Sequence, residues 1–91
     1  HLTRILAKEL APRHVTVKPG QTVIWVNDDN LVHTITSGTG TLPSHTPLSS
    51  DFLTRGQTFR HSFAEAGTYE YLCLPHLDQA TMRGATVTVV K

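Results

Sequence analysis

A single cysteine, Cys73, stands among 91 residues, which excludes an internal disulfide and with it the stapled scaffolds of small secreted domains. Charge of either sign is scarce and balanced, eight Lys and Arg against seven Asp and Glu for a formal +1. The basic residues are scattered, so no stripe follows a phosphate backbone, and nucleic-acid binding is not expected. No apolar run approaches the roughly 20 residues a helix needs to cross a bilayer, so no membrane insertion is expected. The first residues, HLTRILAKELAP, lack the apolar core and small-residue cleavage pattern of a secretion signal. They read as a chain whose signal has been removed, or as a piece of a longer one. Helical periodicity is missing as well: no stretch of about ten residues or more repeats its apolar positions at helical spacing.

What the chain has instead is short alternating segments divided by turn residues. HVTVKPGQTVIWVN reads as a strand, a Lys18-Pro19-Gly20 turn and a second strand rich in β-branched and aromatic residues, together a hairpin-like unit. Further strands are expected at residues 4–7 and in VHTIT, the latter after the NDDN turn at 27–30. QTFRHSF sets Phe59, His61 and Phe63 opposite Thr58, Arg60 and Ser62. TYEYLC sets Tyr69, Tyr71 and Cys73 opposite Thr68, Glu70 and Leu72, and ATVTVV turns Ala85, Val87 and Val89 inward. Residues 36–51, loaded with Ser, Thr, Gly and Pro, read as a long connection holding one helical turn. Roughly six to eight strands without helices predict an all-β Greek-key β-sandwich. The length suits one domain, residues 1–91, with no internal repeat or linker.

The chemistry gathers in YLCLPHLDQATMRG, which holds the only cysteine and the only methionine with a histidine between them. Strand alternation sends Cys73 toward the core at a strand end. The chain then loops, bringing His76 back to the same region and Met82 in as the loop closes. A thiolate, an imidazole and a thioether suit copper, because sulfur favours Cu(I), imidazole tolerates Cu(II), and two histidines with one cysteine and a long axial methionine make a blue-copper site. The second histidine of such a plane is best supplied by His33, which opens a strand after the NDDN turn. His14 begins a strand before a turn at one end of the sheet, and His61 sits mid-strand between two phenylalanines.

VKPGQTVIWVNDDNLVHTITSG, GQTFRHSFAEAGTYEYLCLPH and MRGATVTVV, in that order, resemble the cupredoxin family of type 1 blue-copper proteins, in particular its small amicyanin-, plastocyanin- and pseudoazurin-like group. The resemblance runs from about Val15 onward and implies a single cupredoxin-like domain that binds one type 1 copper ion. It implies His33, Cys73 and His76 as equatorial ligands and Met82 as the axial one. Five residues separate His76 from Met82, a longer loop than the amicyanin or plastocyanin type. In amicyanin register the axial position falls on Gln79, whose amide oxygen is the alternative to Met82. Thr34 stands where many relatives have asparagine, and its hydroxyl is expected to reach the cysteine-bearing loop.

By this resemblance the protein shuttles single electrons between redox partners and is not an enzyme. The partners are expected to dock near His76, over an apolar patch of Leu31, Val32, Leu74, Pro75 and Leu77. The chain is expected to be a monomer unless it belongs to a longer one, and to work in the periplasm or another extracytoplasmic compartment. The rival readings are a copper carrier that passes metal on without redox cycling, and an electron-transfer domain of a larger copper enzyme. A cysteine hydrolase would need Cys73 activated by a histidine, with an oxyanion site for which nothing in the sequence speaks. A structural zinc site would want a tetrahedral set without a lone thioether. Among the remaining histidines, His45 is expected to be solvated and His61 to pack, whereas His1 would offer an amine and a ring able to chelate copper only if the natural chain begins there. Asp28 and Asp29 read as turn formers.

Overall fold

A computed structural model describes residues 2–6 and 9–91. Nine strands are present among them: β1 (Leu2–Leu6), β2 (Glu9–Ala11), β3 (His14–Val17), β4 (Thr22–Asn27), β5 (Thr36–Thr39), β6 (Leu42–Pro43), β7 (Thr58–Ser62), β8 (Gly67–Leu72) and β9 (Ala85–Val89). They form two sheets, one ordered β2-β1-β4-β7 and the other β3-β9-β8-β5-β6. Helical structure in these residues is confined to two 3₁₀ turns, Leu74–His76 and Ala80–Met82, both in the connection from β8 to β9.

Alternation sets the inner faces, as read from the sequence for β9 and as found also in β4. In β4, Val23 and Trp25 are buried between half-buried neighbours, and in β9 Ala85, Val87 and Val89 are buried while Thr86 and Thr88 are not. These side chains join Ile5, Ile35, Phe63 and Tyr71 in one core between the sheets. Trp25 is central: it meets Tyr71 edge-on at 5.6 Å and Phe59 at 5.7 Å, arrangements that favour aromatic pairs beyond simple burial. The Tyr69 hydroxyl donates to the Glu65 carbonyl at 2.7 Å, a tyrosine corner that fixes how the chain enters β8.

Four local expectations are corrected. The segments flanking Lys18-Pro19-Gly20 do not pair as a hairpin: β3 runs parallel to β9, whereas β4 pairs with β1 and β7, so the turn crosses between sheets. VHTIT is not a strand until Thr36; His33 makes only an isolated bridge to Leu53. Residues 36–51 hold the small β5–β6 hairpin and no helical turn. Leu72, on the face expected to point outward, is fully buried. The hairpin covers it at very close range, since a Cβ on Gly38 would lie 2.7 Å from Leu72 Cδ2 and 2.6 Å from the Leu42 carbonyl oxygen. Side-chain period two cannot announce such a cover, because it depends on how a distant loop folds back.

Candidate metal centre

His33, Cys73 and His76 come together at one end of the sandwich, each offering one ligand atom, with those atoms all within 4.8 Å of one another. His33 and Cys73 are buried and His76 is half-buried. Around one ion, ligand atoms each held at about 2.0–2.3 Å lie no more than roughly 4.5 Å apart, so the group fits a single metal with little closing movement. The donor set, one thiol and two imidazoles, suits copper by softness and by its tolerance of both oxidation states.

His33 is held through both its backbone and its ring. Its N–H donates to the Leu53 carbonyl at 3.0 Å and its carbonyl accepts from Leu53 N–H at 2.7 Å. Buried Asn27, at the end of β4, shapes the turn before it: its amide donates to the carbonyls of Leu31 at 2.9 Å and Leu53 at 2.7 Å, and its Oδ1 accepts from Asp29 N–H at 2.8 Å. The turn delivers the Asp29 carboxylate to the ring, Oδ2 lying 2.7 Å from His33 Nε2, while Nδ1 faces Cys73 Sγ at 3.2 Å. The carboxylate places the ring proton on Nε2 and leaves the Nδ1 lone pair toward the thiol. That hydrogen bond, more than any other influence, holds the Asp29 carboxyl below its usual pKa. Sequence reading took Asp29 for a turn former and missed this contact. The signal was its place four residues before a proposed histidine ligand, since ligating imidazoles commonly donate their second N–H to a carboxylate.

Cys73 follows β8 and is wholly buried. Its sulfur accepts from Thr34 N–H at 3.4 Å, and the Thr34 hydroxyl accepts from Leu74 N–H at 3.0 Å, the cross-link expected of that threonine. Burial pushes the thiol up to about 11, against the partial relief of backbone hydrogen bonds from Thr34 and His76. The apoprotein thiol is therefore protonated at pH 8, and a metal that takes Cys73 as thiolate must expel that proton. Copper uptake near pH 8 is expected to release about one proton, read as the dependence of calorimetric binding heat on buffer ionisation enthalpy. No release would mean the sulfur is not a ligand. The sign for folding is opposite: from its ordinary 9.0 the thiol rises to about 11 in the fold, so the apoprotein loses stability as pH climbs through that window.

Beyond Cys73 the loop advances in steps of three. His76 N–H donates to the Cys73 carbonyl at 3.1 Å, Gln79 N–H to that of His76 at 3.0 Å, and Met82 N–H to that of Gln79 at 2.9 Å. Cys73 N–H then donates to the Met82 carbonyl at 2.9 Å and closes the ring. Turns closed between residues three apart return their ends to one side of the chain. An amicyanin-register loop would reach its axial position at Gln79; one further step of three brings the chain to Met82 in phase. Met82 is buried at 1% exposure within the core, whereas Gln79 is half-buried. The His33 and His76 rings lie 4.6 Å apart, and His76 Nε2 is 3.2 Å from the Val32 carbonyl.

The other described histidines are not part of the group. His14 Nδ1 lies 2.8 Å from the Thr86 hydroxyl on the exposed surface, and His61 packs edge-on against Phe63 at 4.7 Å. His45 is exposed, and His1 lies outside the described residues.

Residues 7–90 match the family model for copper-binding proteins of the plastocyanin/azurin family. An amicyanin from Paracoccus versutus is 35% identical over 80 residues, covering 88% of this chain and 57% of the relative. A plastocyanin from Scenedesmus fuscus is 39% identical over 83 residues, 86% of this chain and 83% of the relative. The chain thus spans little more than half the length of that amicyanin. Among solved structures, a purple cupredoxin from Nitrosopumilus maritimus superposes with a TM-score of 0.84 at 30% identity, covering 98% of each chain. A reduced tryptophan-to-tyrosine variant of amicyanin reaches 0.81 at 30% identity, over 99% of this chain and 81% of that one.

Proposed function

This chain belongs to the plastocyanin/azurin family of copper-binding proteins, and from that premise we propose that it carries single electrons on one copper ion held by His33, Cys73, His76 and, axially, Met82. The observation that carries the reading is the meeting of a buried thiol with two imidazoles on a braced scaffold. Bound copper supplies one-electron exchange between Cu(II) and Cu(I). The chain's own part is to hold its donors still: Asp29 orients His33, Thr34 ties the Cys73 segment, and burial keeps water from the sulfur. Ligands that need not move cost little reorganisation when the charge changes.

The reading is of a carrier and not an enzyme. A nucleophilic cysteine needs an exposed sulfur and a depressed pKa. Cys73 is fully buried, and its thiol is pushed up to about 11. One domain in an extracytoplasmic compartment, acting as a monomer unless joined to a longer chain, completes the proposal.

Docking belongs over His76. Leu31 is 57% exposed and Val32 38%, Pro75 is exposed, and Leu74 and Leu77 are half-buried, which together make an apolar rim at the imidazole. Leu77→Asp is expected to slow electron self-exchange between oxidised and reduced copies by about tenfold, the effect of roughly 1.4 kcal/mol at a small transient contact, with the copper spectrum unchanged. An unaltered exchange rate would remove this patch from the proposal.

The whole reading is tested by loading the chain with Cu(II). An intense thiolate-to-copper band near about 600 nm, with a second near about 450 nm, is expected, together with reversible one-electron reduction. Colourless binding would favour a metal carrier. Met82→Leu is expected to change the band ratio and raise the reduction potential, whereas Gln79→Ala leaves both in place; the reverse pattern would make Gln79 the axial ligand.

A further inference from the structure

Two arginines take up carbonyls of the metal loop, in addition to the backbone bonds that close its turns. Arg13, in the turn between β2 and β3, sends Nη1 to the Thr81 carbonyl and Nη2 to that of Ala80, each at 3.3 Å, and Nη2 also to the Arg83 carbonyl. From within the loop, Arg83 Nη1 donates to the Leu77 carbonyl at 2.6 Å. The guanidinium of Arg13 lies where a side chain at residue 84 would stand: a Cβ there would meet Nη2 at 3.0 Å, and Gly84 has φ +74°. Arg13 is itself anchored, its carbonyl accepting from Thr86 N–H at 3.0 Å in β9.

The residue enclosed by these contacts is Met82. Carbonyls on both sides of it, at 80, 81 and 83, are gripped by one planar fork whose base sits on a different part of the sandwich. We propose that Arg13 is a positioning residue for Met82: it sets how deeply the thioether enters the metal centre and so tunes the colour and reduction potential of bound copper. The proposal rests on Met82 being a copper ligand. A loop one step of three longer than the amicyanin register has more freedom to lose. A guanidinium spreads its donors over a fixed plane, so one side chain holds three carbonyls at set positions, whereas the donors of a lysine rotate about a single nitrogen. Weak axial bonding to a soft donor depends on distance, so a small shift of Met82 reaches the copper spectrum directly.

The test compares Arg13→Met, which keeps an unbranched stem without donors, with Arg13→Lys, which keeps the charge without the fork. Each is made in the natural chain and in a Met82→Leu background. In the natural chain both are expected to change the ratio of the two visible bands, shift the potential and speed copper release on the order of tenfold. In the apoprotein, both are expected to broaden or move the Met82 methyl resonance while the amide spectrum of the β-sandwich stays in place. In the Met82→Leu background the same changes at Arg13 are expected to leave band ratio and potential where Met82→Leu alone puts them. An Arg13 effect that persists there at full size, or that is missing in the natural chain, overturns the proposal and leaves the ligand assignment standing. If Met82→Leu alone alters neither band ratio nor potential, the ligand assignment falls first. Should Arg13→Met fail to fold, Arg13→Lys carries the same comparison.

Discussion

Cys73→Ser is expected to abolish the intense visible absorption of the Cu(II) protein and to weaken copper binding by several orders of magnitude, while the apoprotein still folds. The colour arises from a thiolate bound to Cu(II), and a serine hydroxyl is neither soft nor readily ionised, so it replaces neither the charge nor the electronic transition. The fold tolerates the exchange for a definite reason. A serine oxygen would occupy a position that already receives Thr34 N–H at 3.4 Å and faces His33 Nδ1 at 3.2 Å. A buried hydroxyl with partners costs on the order of 1 kcal/mol, far from the 5–15 kcal/mol that unfolds a small domain. The check is a Cu(II) titration followed by absorption and by thermal unfolding of the apoprotein. Persisting intense colour would mean that Cys73 is not the sulfur ligand.

The second large effect is expected at Asp29. Removing the carboxylate with Asp29→Ala should lower copper affinity about 10–100-fold, the usual scale when a histidine ligand loses its hydrogen-bonded partner. It leaves the N–H of a ring only 1% exposed without an acceptor, which costs about 1–3 kcal/mol in the apoprotein as well. Asp29→Asn separates orientation from charge. Its amide oxygen still accepts from Nε2, so affinity should stay near that of the natural chain. The lost negative charge disfavours Cu(II) more than Cu(I), and the reduction potential should rise. The paired measurement is copper affinity by competition with a chelator and potential by voltammetry. Equal losses of affinity in both variants would show that charge, not ring orientation, is what Asp29 contributes.

Much of this was legible in the chain before any coordinates. Alternation identified Tyr71, Cys73, Ala85, Val87 and Val89 as inward, because side chains on a strand must point to opposite sides. Cys73 and His76 declared themselves by rarity and proximity, and His33 by its place after the NDDN turn together with the resemblance. What escaped had a common cause. The partners of β3 and β4, the hairpin that covers Leu72, the carboxylate on His33 and the guanidinium on residues 80–83 all join segments far apart in sequence or hidden inside a turn. Thr34 was an exception, since its place beside a proposed ligand already made a cross-loop contact reasonable.

Local chemistry was thus settled along the chain itself: which residues lie inward, where strands give way to turns, and which donors exist to hold a soft ion. Tertiary folding alone decided that His33 and Cys73, forty residues apart, bring Nδ1 and sulfur to 3.2 Å, and that Arg13 closes over the limb carrying Met82. The difference is physical. Backbone sterics and side-chain periodicity act over a few neighbouring residues, whereas ligand geometry depends on which sheet each strand joins, and burial of a shared core between the two sheets makes that choice.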